Sequence, residues 1–333
     1  MRKLINHPND FVDEVLEGIL SAHPDQLRAV TDDRRAIVRA DAPLEGRVGI
    51  VTGGGSGHLP VFLGYVGTGL CTGVAVGNVF SSPSSDQVLA ATRASNGGAG
   101  VLHLFGNYGG DVLNFELAAD MAEDEGIDTR TVLVTDDVTS APADDREGRR
   151  GVAGLVFAYK CAGAAAEAGA DLDEVAAVAA EANANTRTMG VGLSPTILPA
   201  AGEPTFTLDE GEMEIGIGIH GEPGIRREAL RPADEVADAL LEHILADLGA
   251  DAGDEVCVLV NGLGATPQEE LYVLYRRVHS RLSEAGLAVH RAYVGEYATS
   301  LEMAGASISV LRSTDRLRPL IDAPARSPFF EQT

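Results

Sequence analysis

Two histidines stand among glycines, and an imidazole with so little bulk beside it is free to touch a small ligand. The first, His58, closes the run Gly53-Gly54-Gly55-Ser56-Gly57-His58 behind an apolar segment at 48–52. Glycines there let backbone N–H groups approach a ligand closely. The Gly-Lys-Ser/Thr step that grips a nucleotide's phosphates and metal is missing, so the loop reads as a holder for something small beside an imidazole. The second, His220, lies in Gly218-Ile219-His220-Gly221-Glu222-Pro223-Gly224. A neutral imidazole attacks a carbonyl carbon when its other nitrogen is hydrogen-bonded and the tautomer held, and Glu222 is a candidate holder. Decoration of a hairpin end is an equally open reading of His220.

Asp111 is the third candidate. It follows the loop Phe105-Gly106-Asn107-Tyr108-Gly109-Gly110 and precedes a helical pattern with Leu113, Leu117 and Met121 on one face. An Asp at a helix start is most often an N-cap; it acts as a base only if its other oxygen faces a cavity. Ser56 lacks the spacing of a nucleophile elbow and reads as a hydrogen-bonding residue. His7, His23, His103, His243, His279 and His290 read as structural or solvated, and Asn261-Gly262-Leu263-Gly264 as a plain turn. No histidine pair has the spacing of a zinc helix and no loop has calcium-site spacing, so no metal is expected on this chain.

The elements around these residues alternate in the α/β manner. Strands are predicted over 48–52, 74–80, 101–105 and 131–135, and helices over 83–95, 111–125, 152–168 and 172–184. Ser82 with Pro83, and Asp171 with Glu174, mark helix starts. A shift to Gly, Pro, Ser and Thr over 186–204 suggests a change of domain. Beyond it a hairpin of 205–208 and 213–219 would deliver His220 to a strand end. Helix 234–248, strand 256–260, a helix capped by Thr266 with Pro267 and Glu269, and strands 288–294 and 308–311 complete the reading. The expected fold is α/β in two domains, 1–185 and 186–333, each a mixed sheet flanked by helices.

At 333 residues with 45% hydrophobic side chains, the chain can bury sizeable cores. A net charge of -25 and the absence of any basic run argue against nucleic acid and anionic membranes as partners. Cys71, Cys161 and Cys257 are isolated and suggest neither disulfides nor a zinc site. With a polar N-terminus and no run of 18 apolar residues, a cytoplasmic protein is expected.

Taken in order and at their separations, the three glycine-framed segments resemble the dihydroxyacetone kinase family, in particular its separate ketose-binding subunit. Val79-Phe80-Ser81-Ser82-Pro83-Ser84, Arg149-Arg150-Gly151-Val152-Ala153-Gly154, Thr186-Arg187-Thr188-Met189-Gly190-Val191 and Asn261-Gly262-Leu263-Gly264-Ala265-Thr266 extend the resemblance over nearly the whole chain. The resemblance implies that His220 bonds to the ketone carbon of a short ketose as a hemiaminal. It gives proton handling to His58 and Asp111 and backbone contacts to Gly53, Gly54, Gly55, Ser56 and Gly57, and it puts Gly106 at the substrate. It also implies ADP or ATP with magnesium on a nucleotide-binding partner subunit, and a homodimer. In one form of the family a phosphotransferase-system phosphoprotein recharges the ADP; in the other free ATP is used. Leu59, Gly106 and Gly109 stand where the family commonly has glutamate, lysine and threonine, and a roomier site for a tetrulose is one expectation. The alternatives are a ketose-sensing regulatory paralogue and, with little motif support, a hydrolase using Ser56, His58 and Asp111.

Overall fold

The computed structural model describes residues 3–333. Six strands form one sheet: β1 (Leu27–Ala29), β2 (Ala36–Arg39), β3 (Gly49–Ser56), β4 (Gly73–Val79), β5 (Val101–Gly106) and β6 (Thr129–Val134). Their spatial order is β1-β2-β4-β3-β5-β6, with β4, β3, β5 and β6 parallel and the two strands at the β1 edge antiparallel. Helix α1 (Phe11–Ala22) precedes the sheet, and α2 (Ser85–Ser95) and α3 (Gly109–Asp124) follow β4 and β5. Parallel strands covered on both faces need apolar side chains on both, which is why β3 and β5 are mostly apolar or glycine, with Thr52 and His103 buried among them. The carboxyl ends of β3 and β5 therefore carry His58 and Asp111 side by side, the place where open parallel sheets present ligands.

The second sheet takes β7 (Thr186–Ser194), β8 (Glu212–Ile215), β9 (Arg226–Ala229), β10 (Glu255–Gly262), β11 (Ala288–Gly295) and β12 (Ala304–Arg312) in the order β11-β10-β12-β7-β8-β9. Only β10 and β11 run parallel. Helices α6 (Ala233–Leu248) and α7 (Gln268–Glu284) pack on it. Between the sheets lies α4 (Leu155–Glu167), whose residues 155–166 are all buried. A helix apolar on nearly every side belongs inside a core, and its one buried charge, Lys160, donates to the Leu320 carbonyl at 2.9 Å; one continuous cluster joins Leu102 and Leu104 of the first sheet, α4, α5 (Leu172–Ala184) and Cys257, Leu259 and Leu311 of the second. All three cysteines are buried free thiols.

Several expectations change. The segment 205–208 is not a strand; β8 pairs instead with β9, which the charged sequence Arg-Arg-Glu-Ala hides because an edge strand exposes its side chains. His220 consequently sits in a turn between β8 and β9, past the strand end. The Gly-, Pro-, Ser- and Thr-rich stretch 186–204 is not loop throughout: it opens with β7, an interior strand and the first in sequence of the second sheet. Ser84, not Ser82, caps α2, its hydroxyl accepting from the Gln87 N–H in a capping box. Asp171 caps α5 by accepting from the Glu174 N–H. Thr266 does not cap α7; its hydroxyl donates to the Gly305 carbonyl at 2.7 Å and accepts from the Gly305 N–H at 2.8 Å.

Candidate active site

The glycines of the His58 loop are dictated by protein neighbours. A Cβ on Gly54 would collide with the Phe62 ring, one on Gly53 would lie 2.8 Å from the Ala75 carbonyl, and one on Gly55 2.6 Å from the Ser81 nitrogen. Gly57 has φ +102°, a conformation glycine adopts without strain. Packing thus accounts for these glycines. The Ser56 hydroxyl donates to the Gly77 carbonyl at 2.9 Å, a structural bond that leaves the hydrolase reading without support.

A segment of the second sheet's half holds this loop in place. The Leu301 N–H donates to the Gly57 carbonyl at 2.8 Å, and the Thr299 hydroxyl to the Leu59 carbonyl at 2.9 Å. The Thr299 carbonyl accepts from His58 Nδ1 at 2.7 Å. A carbonyl can only accept, so the proton is on Nδ1 and the Nε2 lone pair is free. Nε2 is buried without a partner. Burial and then the neighbouring His220 push the His58 pKa down to about 3, so the ring is neutral at physiological pH.

His220 meets this ring edge-on, with centroids 4.8 Å apart. Phe80 stacks on His58 at 4.7 Å and touches His220 at 5.2 Å, and Tyr108 meets His220 at 4.9 Å. Phe80 has φ +55°, costly for a side chain of that size. About a quarter of the His220 side chain is exposed, against 1% of His58 as a residue. His220 Nδ1 lies 2.9 Å from Glu222 Oε1, and the His220 N–H donates to Glu222 Oε2 at 2.9 Å. Burial favours the neutral acid at Glu222, but the His220 hydrogen bond, with His220 and Arg150 nearby, outweighs it and holds the pKa at about 2.

Asp111 is the third residue of α3 and does not cap it; Tyr108 occupies the cap position and makes no side-chain cap bond. The carboxyl is buried, with Oδ1 lacking a partner. Burial raises its pKa to about 6, with Ser82 and His220 pulling the other way. The Tyr108 hydroxyl is likewise buried and unpartnered, and burial raises its pKa. Buried polar atoms are nearly always paired, so orphaned atoms on three side chains grouped around an accessible imidazole mark a place for a small hydroxylated ligand. A base near pKa 6, a neutral imidazole and a held imidazole can bind a carbonyl and move a hydroxyl proton.

The structure brings His58, Asp111 and His220 together. Gly106 ends β5 beside Tyr108, where a Cβ would lie 3.3 Å from the ring, while a Cβ on Gly109 would meet open space. Leu59 lines an apolar cavity of about 220 Å³ with Phe11, Val15 and Leu301, and neither His220 nor Asp111 reaches it. Phe80, Tyr108 and Thr299 carry no mark of a site role in the sequence; Phe80 lies within the segment Val79–Ser84 and Tyr108 in the loop before Asp111, but nothing signals Thr299, which orients His58 through its carbonyl and holds the His58 loop through its hydroxyl. Among the described residues no cluster of three or more His, Cys, Asp or Glu is placed to hold a metal, and no helix is long and apolar enough to cross a membrane.

Comparison with known proteins identifies the family. The PTS-dependent dihydroxyacetone kinase 2, dihydroxyacetone-binding subunit DhaK, of Listeria innocua is 46% identical over 99% of both chains. The L-erythrulose 1-kinase of Mycolicibacterium smegmatis is 45% identical over all of this chain, which spans 58% of that relative. A solved structure titled dihydroxyacetone kinase operon co-activator Dha-DhaQ superposes with a TM-score of 0.89 at 33% identity, covering 96% of this chain and 99% of the other. Residues 17–329 match the Dak1 domain, and the chain belongs to that family.

Proposed function

We propose that this chain is the ketose-binding subunit of a dihydroxyacetone-type kinase, with residues 1–185 supplying the proton-handling groups and 186–333 the covalent histidine. The observation that carries the reading is the meeting of His220 with the unpartnered His58 Nε2 and Asp111 Oδ1. The Nε2 lone pair of His220 forms a bond to the ketone carbon. The carbonyl π pair moves to oxygen, which takes up a proton from water. Ionised Asp111 withdraws a proton from the terminal hydroxyl while the hydroxyl oxygen attacks the donor's terminal phosphorus, whose bond to the departing nucleotide breaks, and His58 Nε2 accepts a hydrogen bond from the sugar. Glycerol has no carbonyl and is rejected by chemistry as well as by shape.

A magnesium-bound nucleotide on a partner subunit supplies the phosphoryl group. The residues around His220 offer neither a metal-ligand cluster nor a phosphate-binding lysine. The PTS dependence of the Listeria relative supports a phosphotransferase-system phosphoprotein as the source that recharges it. Cytoplasmic location and a homodimer complete the proposal. The erythrulose kinase likeness, with open space at Gly109, supports a four-carbon ketose as substrate.

Intact-protein mass spectrometry with dihydroxyacetone and with both erythruloses tests this. An added ketose mass is expected on the wild type and none on His220→Ala, whose turnover with the partner falls by about 10³-fold or more. A wild type that gains no mass defeats the reading. The co-activator likeness favours a second possibility, a ketose sensor. Adduct formation without turnover in the presence of nucleotide-bearing partner would select it.

A further inference from the structure

The motif Arg149-Arg150-Gly151 and residue Glu222 have no part in the steps above, yet both converge on His220. Glu222 bends back over its own turn: its Oε1 faces His220 Nδ1 and its Oε2 accepts the His220 backbone N–H, both at 2.9 Å. Gly218 makes this possible, since a Cβ there would collide with Oε2. Arg150 Nη1 lies 3.8 Å from the same oxygen. Arg150 is itself anchored on Asp137 Oδ2, with Nε and Nη2 at 3.1 and 2.8 Å. The Thr139 hydroxyl donates to Asp137 Oδ1 at 2.9 Å and so ties that carboxylate to the loop facing Gly216. Arg149, pinned bidentately on Asp247, which also holds Arg187, fixes the loop segment from which Arg150 projects.

We infer that Glu222 is the positioning residue that fixes the His220 tautomer, with the His220 backbone N–H and Arg150 deciding which Glu222 oxygen faces the ring. This rests on the proposed covalent role of His220. An ionised carboxylate only accepts, so Nδ1 must carry the proton and the Nε2 lone pair must point away from Glu222, free to attack. After attack the ring bears hydrogen on Nδ1 and carbon on Nε2; it is an imidazolium whose charge the carboxylate balances.

The arrangement makes an amide worse than a deletion. In Glu222→Gln the backbone N–H and Arg150 both require an acceptor at the Oε2 position, so the amide oxygen goes there and the NH₂ faces Nδ1. A donor at that point drives the ring proton to Nε2, the atom that must attack. In Glu222→Ala nothing imposes either tautomer.

The experiment compares both variants for ketose adduct mass across pH, with ¹⁵N spectra of the ketose-free His220 ring. Glu222→Gln should lose adduct affinity at least 10-fold more than Glu222→Ala, and wild type should show a protonated Nδ1. A Gln variant equal to or better than Ala, or a wild-type ring protonated on Nε2, overturns the inference. The wild-type spectrum serves even if neither variant folds. A protonated Nδ1 in a wild type that forms no adduct upholds the tautomer assignment and removes the covalent reading instead.

Discussion

In the loop around His58 the glycines yield to crowding from Phe62, Ala75 and Ser81, and the imidazole is buried and bonded to a carbonyl from a distant segment. In the loop around His220 the glycines shape a tight turn, with φ +81° at Gly216 and +87° at Gly221, and the imidazole is partly exposed and held by a carboxylate two residues away. Two rings 4.8 Å apart are thereby given different work. The buried one is kept neutral with a free acceptor nitrogen, and the exposed one, the nucleophile of the proposed function, has a counter-charge beside it. Glycine next to histidine is the same signal in both places; its meaning depends on what crowds it.

Asp111→Asn breaks the division of labour most sharply. Turnover should fall by about 10²–10⁴-fold while the His220 adduct persists. In the wild type, activity limited by the ionised Asp111 should rise with pH and level off above about 6, an inflection the variant loses. Stability moves the other way. The folded-state pKa is raised, so the native protein binds this proton more tightly than the unfolded chain, and the Asp111 contribution falls as pH climbs from about 4 to about 6. At neutral pH that cost is at most about 3 kcal/mol. Thermal melts should show the Asn variant more stable than wild type above pH 6 and matching it near pH 3.

His58→Asn tests the buried ring. Turnover should drop about 10²-fold. The folded pKa of about 3 lies below the unfolded value near 6.5, so the unfolded state takes up the proton first. The His58 contribution to stability is complete above pH 6.5 and lost as pH falls toward 3; the variant's acid limb should be flatter in denaturation against pH.

The smallest effects sharpen the contrast between crowded and open glycines. Gly54→Ala should destabilise by about 1–3 kcal/mol as the Phe62 ring is displaced. Gly109→Ala, with no atom within 4 Å of the new methyl, should change stability by no more than about 0.5 kcal/mol in denaturant melts. Equal losses at both sites would mean that crowding does not distinguish these glycines.

The α/β alternation around β3, β4 and β5 was legible because parallel strands buried on both faces must be apolar, and the helices between them carry periodic faces and caps. The second half was harder. Edge strand β9 is charged, and β7 is broken by glycines that mimic a linker, so the hairpin partner of β8 was misplaced. His58, Asp111 and His220 stood out by residue type and glycine context. Asp111 looked like a cap because that is what an Asp at a helix start most often is.

Local chemistry, then, is written along the chain: which residues can donate, accept or attack, and where the backbone must turn. Folding alone decides how far each is from water and from the others. The Thr299 carbonyl that orients His58, the Phe80 and Tyr108 rings around His220, and the burial that lifts Asp111 all come from contacts between segments far apart in sequence. Desolvation depends on everything packed around a group, which no short stretch of sequence contains.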